Sequence, residues 1–555
     1  MSVQPKQTVA RFLVSCLENE GVQYVFGIPG EENIKFVRAI AASKKIRFVL
    51  ARHEQGASFM ADIYGRLTGK AGVCTATLGP GAINLLLGVA DAQTDSTPVV
   101  AISAQVGLNR VYKESHQIVD LVSMFKPVTK WSDTVLTPEA VPEMVRKAFD
   151  LAQSERPGAT YLAIPQNIEG ELVASELKPL AVSRALASAP APEAIAQAAI
   201  KLRAASNVVV VAGHGVARQG ACEALRDFAK RYRLPIATTF MGKGVISDRD
   251  PLSLGVIGFM FHDYENFSFE QSDTILAIGY ELQEFDPVKM NPQGDKTIIH
   301  INTFASDIDA HYDVDVSVNA DIEQSLQALA QALGDSPLAT MPKPASIKTL
   351  VEQELSFGLQ SQDFPVKPQR LVADIRAALA DDDIVLADTG AIKMWMARLY
   401  PTYCPLTCLT SNGLSTMAFA LPGAIGAQLA CPDRKVLAVM GDGSFLMNSQ
   451  EIETAAREAI PLKVLVWVDG SYGLIKWKMD IEEGAHDSVD FTNPDFVAYA
   501  RSFGANGYQI ARTQDLLPTL RQALSEPGVS IVACPVDYSE NMKLIEKLGH
   551  LTISL

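Results

Sequence analysis

Val439-Met440-Gly441-Asp442-Gly443-Ser444, followed after a second apolar run by Val466-Trp467-Val468-Asp469-Gly470-Ser471-Tyr472-Gly473, is the most informative text in the chain. Each piece reads as an apolar strand that ends in an aspartate among glycines. Gly441 and Gly443 remove side chains where backbone must come close to a ligand, and the N–H groups that open the next helix face an anion. Asp442 can then hold a cation against that anion. Mg²⁺ takes hard oxygen ligands and commonly joins one or two carboxylates to phosphate oxygens, so Asp442, Asp469 and a backbone carbonyl near Ser471 form a sensible set. These residues point to Mg²⁺ and an organic diphosphate.

The 555 residues around this text, 48% hydrophobic and 20% charged, are too many for one core and read as several α/β domains. Residues 1–175 alternate short β-rich runs such as Tyr24-Val25-Phe26-Gly27 with helical patterns, in a doubly wound order. Proline- and alanine-rich text from 178 to 192 reads as a linker. A second block, 190–335, carries the buried-strand run Val208-Val209-Val210-Val211-Ala212-Gly213-His214-Gly215. The pattern breaks again near 335–366, and a third block, 366–545, holds the aspartates. The fold expected is α/β, with three doubly wound Rossmann-like domains and mostly parallel sheets.

A net charge of −15 argues against broad binding to nucleic acid or an anionic membrane, which needs clustered Lys and Arg. No apolar run approaches the roughly 20 residues that span a bilayer, and Met1-Ser2-Val3-Gln4-Pro5-Lys6 lacks a signal-peptide core. Seven cysteines without a paired framework suit a reducing compartment, and Cys404 and Cys408 read as structural. A cytoplasmic location is expected.

Phe48-Val49-Leu50-Ala51-Arg52-His53-Glu54 also delivers a carboxylate to the carboxyl end of a strand, where open α/β sheets keep their ligands. A glutamate in a first helical turn is otherwise a solvated dipole partner. Gly27-Ile28-Pro29-Gly30 and Leu78-Gly79-Pro80-Gly81 are two tight turns able to wall a ring, or ordinary strand-to-helix turns. Gln117 is an amide able to meet a reacting carbonyl and His116 an imidazole able to carry a proton; either is equally a loop side chain. Gly213-His214-Gly215 has Arg at position 218 and is not a full dinucleotide fingerprint, which favours a purely architectural middle block.

In this order, Gly27-Ile28-Pro29-Gly30, Arg52-His53-Glu54, Gly79-Pro80-Gly81, Ser411-Asn412-Gly413-Leu414-Ser415-Thr416-Met417 and Gly441-Asp442-Gly443, with Asp469 27 residues after Asp442, resemble the thiamine-diphosphate enzymes of the acetolactate synthase family. The ending Val536-Asp537-Tyr538-Ser539-Glu540-Asn541 is similar to the FAD-independent, catabolic members. The resemblance implies that Glu54 bonds the aminopyrimidine ring and promotes loss of the thiazolium C2 proton, a role for a carboxyl shielded from water. It implies that Met417 bends the cofactor into a V and that the Ser415 carbonyl receives the ring's amino group. The diphosphate would lie on Gly441, Gly443, Ser444, Gly473 and Leu474, with Gly390 and Ala391 offering backbone N–H groups, while Ile28, Pro29 and Gly79 border the pyrimidine. Mg²⁺ would sit on Asp442, Asp469 and the Ser471 carbonyl, and Gln117, with His116 beside it, would face the substrate.

The activity implied is decarboxylation of pyruvate and ligation of the two-carbon unit to a second 2-keto acid, giving 2-acetolactate; protonation instead would give acetaldehyde, the reaction of a 2-keto acid decarboxylase. A homodimer or homotetramer with sites at the subunit interface is also implied. Asp469-Gly470 stands where many relatives have Asn-Asn, Leu78 where catabolic relatives have serine, and Glu31-Glu32-Asn33 where they have Ala-Lys-Ile, so the pocket's preferred substrate is the most open point. Gly279-Tyr280-Glu281-Leu282-Gln283-Glu284-Phe285 lacks the arginine-bearing segment of the FAD-containing branch, and FAD is not expected. A nicotinamide-dependent dehydrogenase and a silent assembly protein remain as readings from other classes.

Overall fold

The computed structural model describes residues 7–183, 188–258, 263, 266–340 and 344–548. Phe259 and Met260 lie outside the described residues, as do 1–6 and 184–187. Three sheets organise the chain, each of six strands and each parallel throughout. The chain divides into two compact units: one holds residues 1–185, 421–432 and 448–462, and the other the remainder.

The first unit contains the first sheet, built from β1 (Tyr24–Gly27), β2 (Arg47–Leu50), β3 (Gly72–Ala76), β4 (Val99–Gln105), β5 (Trp131–Thr134) and β6 (Ala159–Pro165), in the order β2-β1-β3-β4-β6-β5. Its central strands β3, β4 and β6 are buried at every residue, whereas edge strand β5 is not. That contrast is what helices on both faces of a parallel sheet produce. The order reverses between β1 and β3, so the crevice for a ligand opens above their carboxyl ends.

The second unit holds two sheets. The middle one has β7 (Val208–Ala212), β8 (Ile236–Thr238), β9 (Ser253–Val256), β10 (Thr274–Ile278), β11 (Thr297–Asn302) and β12 (Val316–Asn319), in the order β12-β11-β10-β7-β8-β9. The last has β13 (Ile384–Ala387), β14 (Cys408–Leu409), β15 (Val436–Gly441), β16 (Lys463–Val468), β17 (Asn506–Gln509) and β18 (Ser530–Pro535), in the order β14-β13-β15-β16-β18-β17. Their reversals lie between β7 and β10 and between β13 and β15. An apolar core of this unit runs from Val209 and Ile275 through Val385, Trp395 and Val439 to Val532.

The span expected only as a break near 335–366 contains the helix Pro344–Gln360. Its opening Pro344 reads as linker text, yet proline is well placed at a first helical position, where its missing N–H loses nothing. All seven cysteines are free thiols. Burial pushes Cys16 and Cys74 up to about 12, which leaves them poor nucleophiles. Among the described residues no helix is long and apolar enough to cross a membrane.

Candidate active site

In the first unit, β2 leads into Ala51-Arg52-His53 and then the helix Glu54–Thr68. His53 caps that helix, its Nδ1 accepting from the Gln55 N–H at 3.1 Å. Glu54 is only 9% exposed, and its Oε2 accepts from Asn84 Nδ2 at 3.0 Å. The solvated first-turn reading of this residue is therefore replaced by a buried, partnered one. Gly81 makes room: a β-carbon there would stand 3.1 Å from Glu54 Oε1.

The two glycine turns stand side by side at the β1–β3 reversal. A β-carbon on Gly30 would overlap Thr77, and Asn33 Oδ1 holds the Gly30 N–H at 2.7 Å, closing the turn that carries Ile28 and Pro29. Gly79 has φ +55°, a left-handed value that favours glycine, and the carbonyl of Gln117 lies against it. Gln117 is itself left-handed, at φ 59°. His116 and Gln117 are both exposed on a turn. The backbone and Cβ of Gln117 thus meet Gly79.

Sequence reasoning missed Glu451. This fully buried carboxyl accepts from the N–H groups of Arg52 (3.1 Å) and His53 (2.9 Å) and from Thr454 Oγ1 (2.6 Å), so it ties down the turn that aims Glu54. Burial holds its pKa above the usual carboxylate range. Gly56 permits the approach, since a β-carbon there would sit 2.7 Å from Glu451 Oε1. Only the four-residue text Asn448-Ser449-Gln450-Glu451 carries it, without any strand-end signal.

In the second unit, Asp442 and Asp469 end β15 and β16, which pair directly with Gly441 opposite Trp467. Asp442 is fully buried; its Oδ1 accepts from Gly443 N (2.9 Å) and its Oδ2 from Asp469 N (3.1 Å), Gly470 N (2.7 Å) and Asn493 Nδ2 (2.7 Å). Asp469 Oδ2 accepts from Ser471 Oγ at 2.8 Å. Burial first, and the neighbouring Asp442 carboxylate next, push Asp469 up to about 7. A cation between the two carboxyls would offset the repulsion that Asp469 feels from Asp442. Asn493, whose Nδ2 reaches Asp442, has a buried Oδ1 without a hydrogen-bond partner among the described residues, a further hard oxygen on the same side chain.

The residues fit the Mg²⁺ that the sequence implies. Among the described residues no three His, Cys, Asp or Glu side chains are grouped to hold a metal ion, so the pair would be completed by backbone and phosphate oxygens, as Mg²⁺ sites commonly are. The cradle is also shaped for backbone approach. Around Gly441 the nearest atom to an added β-carbon is Ile392 Cδ1 at 3.8 Å, and around Gly390, at φ 127°, there is nothing within 4 Å. Gly390 caps the helix Ala391–Leu399, whose first N–H groups have no partner within the helix. A cavity of about 440 Å³ is lined by Asp469, Ser471 and Gly473, and another of about 400 Å³ by Gly390, Ser415 and Leu474. Ser444 is buried, and Met417 is half-buried rather than part of the core.

The comparisons with known proteins agree with this layout. Residues 7–124 match the N-terminal thiamine pyrophosphate binding domain of the thiamine pyrophosphate enzymes, 195–329 their central domain and 388–534 their C-terminal thiamine pyrophosphate binding domain. Acetolactate synthase of Bacillus subtilis is 36% identical over 542 residues, covering 97% of this chain and 95% of that protein. The catabolic acetolactate synthase of Raoultella terrigena is 34% identical, over 98% of this chain and 97% of its own length. The chain belongs to the thiamine-diphosphate-dependent acetolactate synthase family. The large subunit of acetolactate synthase isozyme 1 of Escherichia coli is 31% identical over 551 residues, covering 98% of this chain and 96% of that protein.

Proposed function

We propose that this enzyme is an acetolactate synthase that uses thiamine diphosphate and Mg²⁺ to condense two pyruvates. The balance is two pyruvate anions and one proton in, one 2-acetolactate anion and one CO₂ out. The observation that carries the reading is the pair of acidic strand ends, Glu54 by the β1–β3 reversal and Asp442 with Asp469 by the β13–β15 reversal, in a chain that matches acetolactate synthases almost end to end.

Bound thiamine diphosphate supplies a thiazolium that accepts the electron pair released when a 2-keto acid loses CO₂. The chain's own residues do the rest. Asp442, Asp469 and the Ser471 carbonyl hold Mg²⁺, and Gly441, Gly443, Ser444, Gly473 and Leu474 present backbone to the diphosphate, with the N–H groups of Gly390 and Ala391 nearby. Ile28, Pro29 and Gly79 border the pyrimidine ring. The buried carboxyl of Glu54, steadied by Asn84, would bond that ring and serve as its acid–base partner. Met417 props the cofactor and the Ser415 carbonyl receives its amino group. The Gln117 and His116 turn, beside Gly79, borders the entrance for the keto acid. Excluding water there favours ligation over protonation.

The same reading gives residues 1–175 the pyrimidine role, 190–335 an architectural role and 366–545 the diphosphate and metal role. It makes the protein a cytoplasmic homodimer or dimer of dimers, with Glu54 of one copy facing the metal site of the other. Exposed Ile83 and Leu87, one turn apart on the helix Pro80–Thr94, and exposed Leu446 and Met447 after Asp442 are apolar surface that a second copy would cover. FAD is not required. Purified protein given pyruvate, Mg²⁺ and thiamine diphosphate without FAD should yield acetolactate equal to half the pyruvate consumed. CO₂ with acetaldehyde alone would make it a decarboxylase, and stoichiometric flavin absorbance would overturn the FAD reading. Mixing Glu54→Gln and Asp442→Ala proteins should restore activity if two chains build each site.

A further inference from the structure

Asp388 directly follows β13, is fully buried, and was given no role of its own in the proposed chemistry. Its Oδ1 accepts from Thr389 N at 2.7 Å, Ala418 N at 2.9 Å and Ser444 Oγ at 3.1 Å, and its Oδ2 from Ala420 N at 3.1 Å. One carboxyl therefore joins the loop into Gly390, the turn that carries Met417, and the start of the helix after β15. That turn is strained. Ser415 has φ 49° and Ala418 φ 67°, left-handed values that side-chain-bearing residues avoid and keep only where their surroundings impose them.

The other end of the turn is held as well. Lys393, also buried, donates from Nζ to the Ser411 carbonyl at 2.8 Å and to Ser415 Oγ at 2.9 Å, while Ser415 Oγ donates to the Asn412 carbonyl at 2.9 Å and Thr416 N to Ser411 Oγ at 2.7 Å. Asp388 and Lys393 flank Gly390, so both anchors come from one short stretch. The anchors bracket Met417: Lys393 fixes the residues on its N-terminal side and Asp388 those on its C-terminal side.

We propose that Asp388 is a positioning residue that, with Lys393 as second anchor, imposes the left-handed Ser415–Ala418 turn and so presets the Met417 prop and the Ser415 carbonyl for the ring portion of thiamine diphosphate. The inference rests on the cofactor roles given above to Ser415 and Met417. Burial pushes Asp388 up to about 6, consistent with a carboxyl that has backbone and hydroxyl donors but no cation among those partners. An asparagine at 388 keeps one acceptor oxygen but turns an N–H₂ toward donors, so at least one anchor is lost.

The test compares two ligands on purified full-length chain with Mg²⁺ by calorimetry: thiamine diphosphate and inorganic diphosphate, which lacks the rings. Asp388→Asn should weaken thiamine diphosphate about 10- to 100-fold, the range for loss of hydrogen bonds to a charged group, and should weaken inorganic diphosphate clearly less. Adding Ala418→Gly, which relieves the left-handed strain and keeps its N–H, should recover part of the thiamine diphosphate affinity in the Asp388→Asn background. Asp374→Asn, at a buried carboxyl whose hydrogen bond is to Arg370, serves as the control and should leave the ratio of the two affinities unchanged. Parallel loss of both ligands with no recovery by Ala418→Gly would reduce Asp388 to general support and overturn the proposal. Failure of the unmodified chain to bind thiamine diphosphate would instead remove the cofactor reading beneath it.

Discussion

The middle and last sheets share one design and end differently at their reversals. At the β7–β10 reversal the backbone closes on itself: the Gly215 N–H donates to the Gly279 carbonyl at 2.8 Å, and a β-carbon on Gly213 would stand 2.4 Å from that same oxygen. Glu284 fills the remaining space, accepting from His214 N at 3.1 and 2.9 Å, from Glu281 N at 3.2 Å and from the Thr239 hydroxyl. At the β13–β15 reversal Gly390 faces open space, and a β-carbon on Gly441 would meet only Ile392 Cδ1, at 3.8 Å. A parallel sheet always makes a crevice at its reversal; whether the crevice binds depends on whether the chain spends its N–H groups on its own carboxyl. The middle sheet does so with Glu284; at the last, Asp388 and Asp442 take the N–H groups of Thr389 and Gly443, and the first N–H groups of the helix Ala391–Leu399, unpaired within that helix, are the ones left to meet a ligand.

The largest effect should come from the open reversal. Asp442→Ala removes a proposed metal ligand and strands four donors, so activity should fall by at least about 10³-fold and the rise in melting temperature on adding Mg²⁺ and thiamine diphosphate should disappear. Retention of that rise would break the assignment of this end as the cradle. Glu54→Gln should come next, lowering kcat about 10²- to 10⁴-fold, the usual share of a general acid–base group. The melting rise with cofactor should survive, because Glu54 belongs to the proton step and not to the diphosphate; its loss would show that Glu54 works mainly by binding.

A matched pair of glycine substitutions probes the contrast itself. Gly213→Ala forces a methyl onto the Gly279 carbonyl and should cost about 1–3 kcal/mol of stability, with thiamine diphosphate affinity of the folded protein unchanged. Gly441→Ala meets only Ile392 Cδ1 at 3.8 Å and should fold normally, yet weaken thiamine diphosphate about tenfold by holding backbone away from the diphosphate. Melting curves of the apo proteins beside calorimetric titrations check both. Similar stability losses in the two would mean that the reversals are equally closed.

The strands at all three reversals are legible because a fully buried parallel strand is a short apolar run and a ligand-facing strand end is marked by glycine and a carboxylate. Asp388 obeys the same rule as Glu54 and Asp442, an apolar strand delivering an acid to its carboxyl end, and the rule applied evenly would have found it. Glu451 and Asn493 obey no local rule: their partners are up to 399 and 51 residues away, and only the fold brings them together. The helix Pro344–Gln360 hides behind its proline, and the exposure of Gln117 and His116 depends on a turn geometry that residue type does not specify. Glu284 reads only as loop text, and its burial beneath His214 is visible only when β7 and β10 are placed side by side.

Glu284 also sets the smallest effect. Burial and then the adjacent Glu281, itself paired with Arg218 at 2.6 Å, push the Glu284 carboxyl from 4.5 up to about 8. The folded chain therefore keeps this proton at pH values where the unfolded chain has released it. Between those two values the native state binds more protons, so the free energy of unfolding falls as pH rises. Glu284→Gln has no proton to lose. It should lower stability somewhat at every pH, because its amide N–H₂ faces donors, and it should flatten the decline between about pH 5 and pH 8 by on the order of 1–3 kcal/mol. Urea midpoints of the apo protein at several pH values measure both changes, and kcat should be unaltered. Parallel slopes for the two proteins would mean that Glu284 is ionised in the fold. Both reversals would then carry carboxyls of their own, Glu284 in the middle sheet and Asp388 with Asp442 in the last, and what separates them would be the space left beside Gly390 rather than charge.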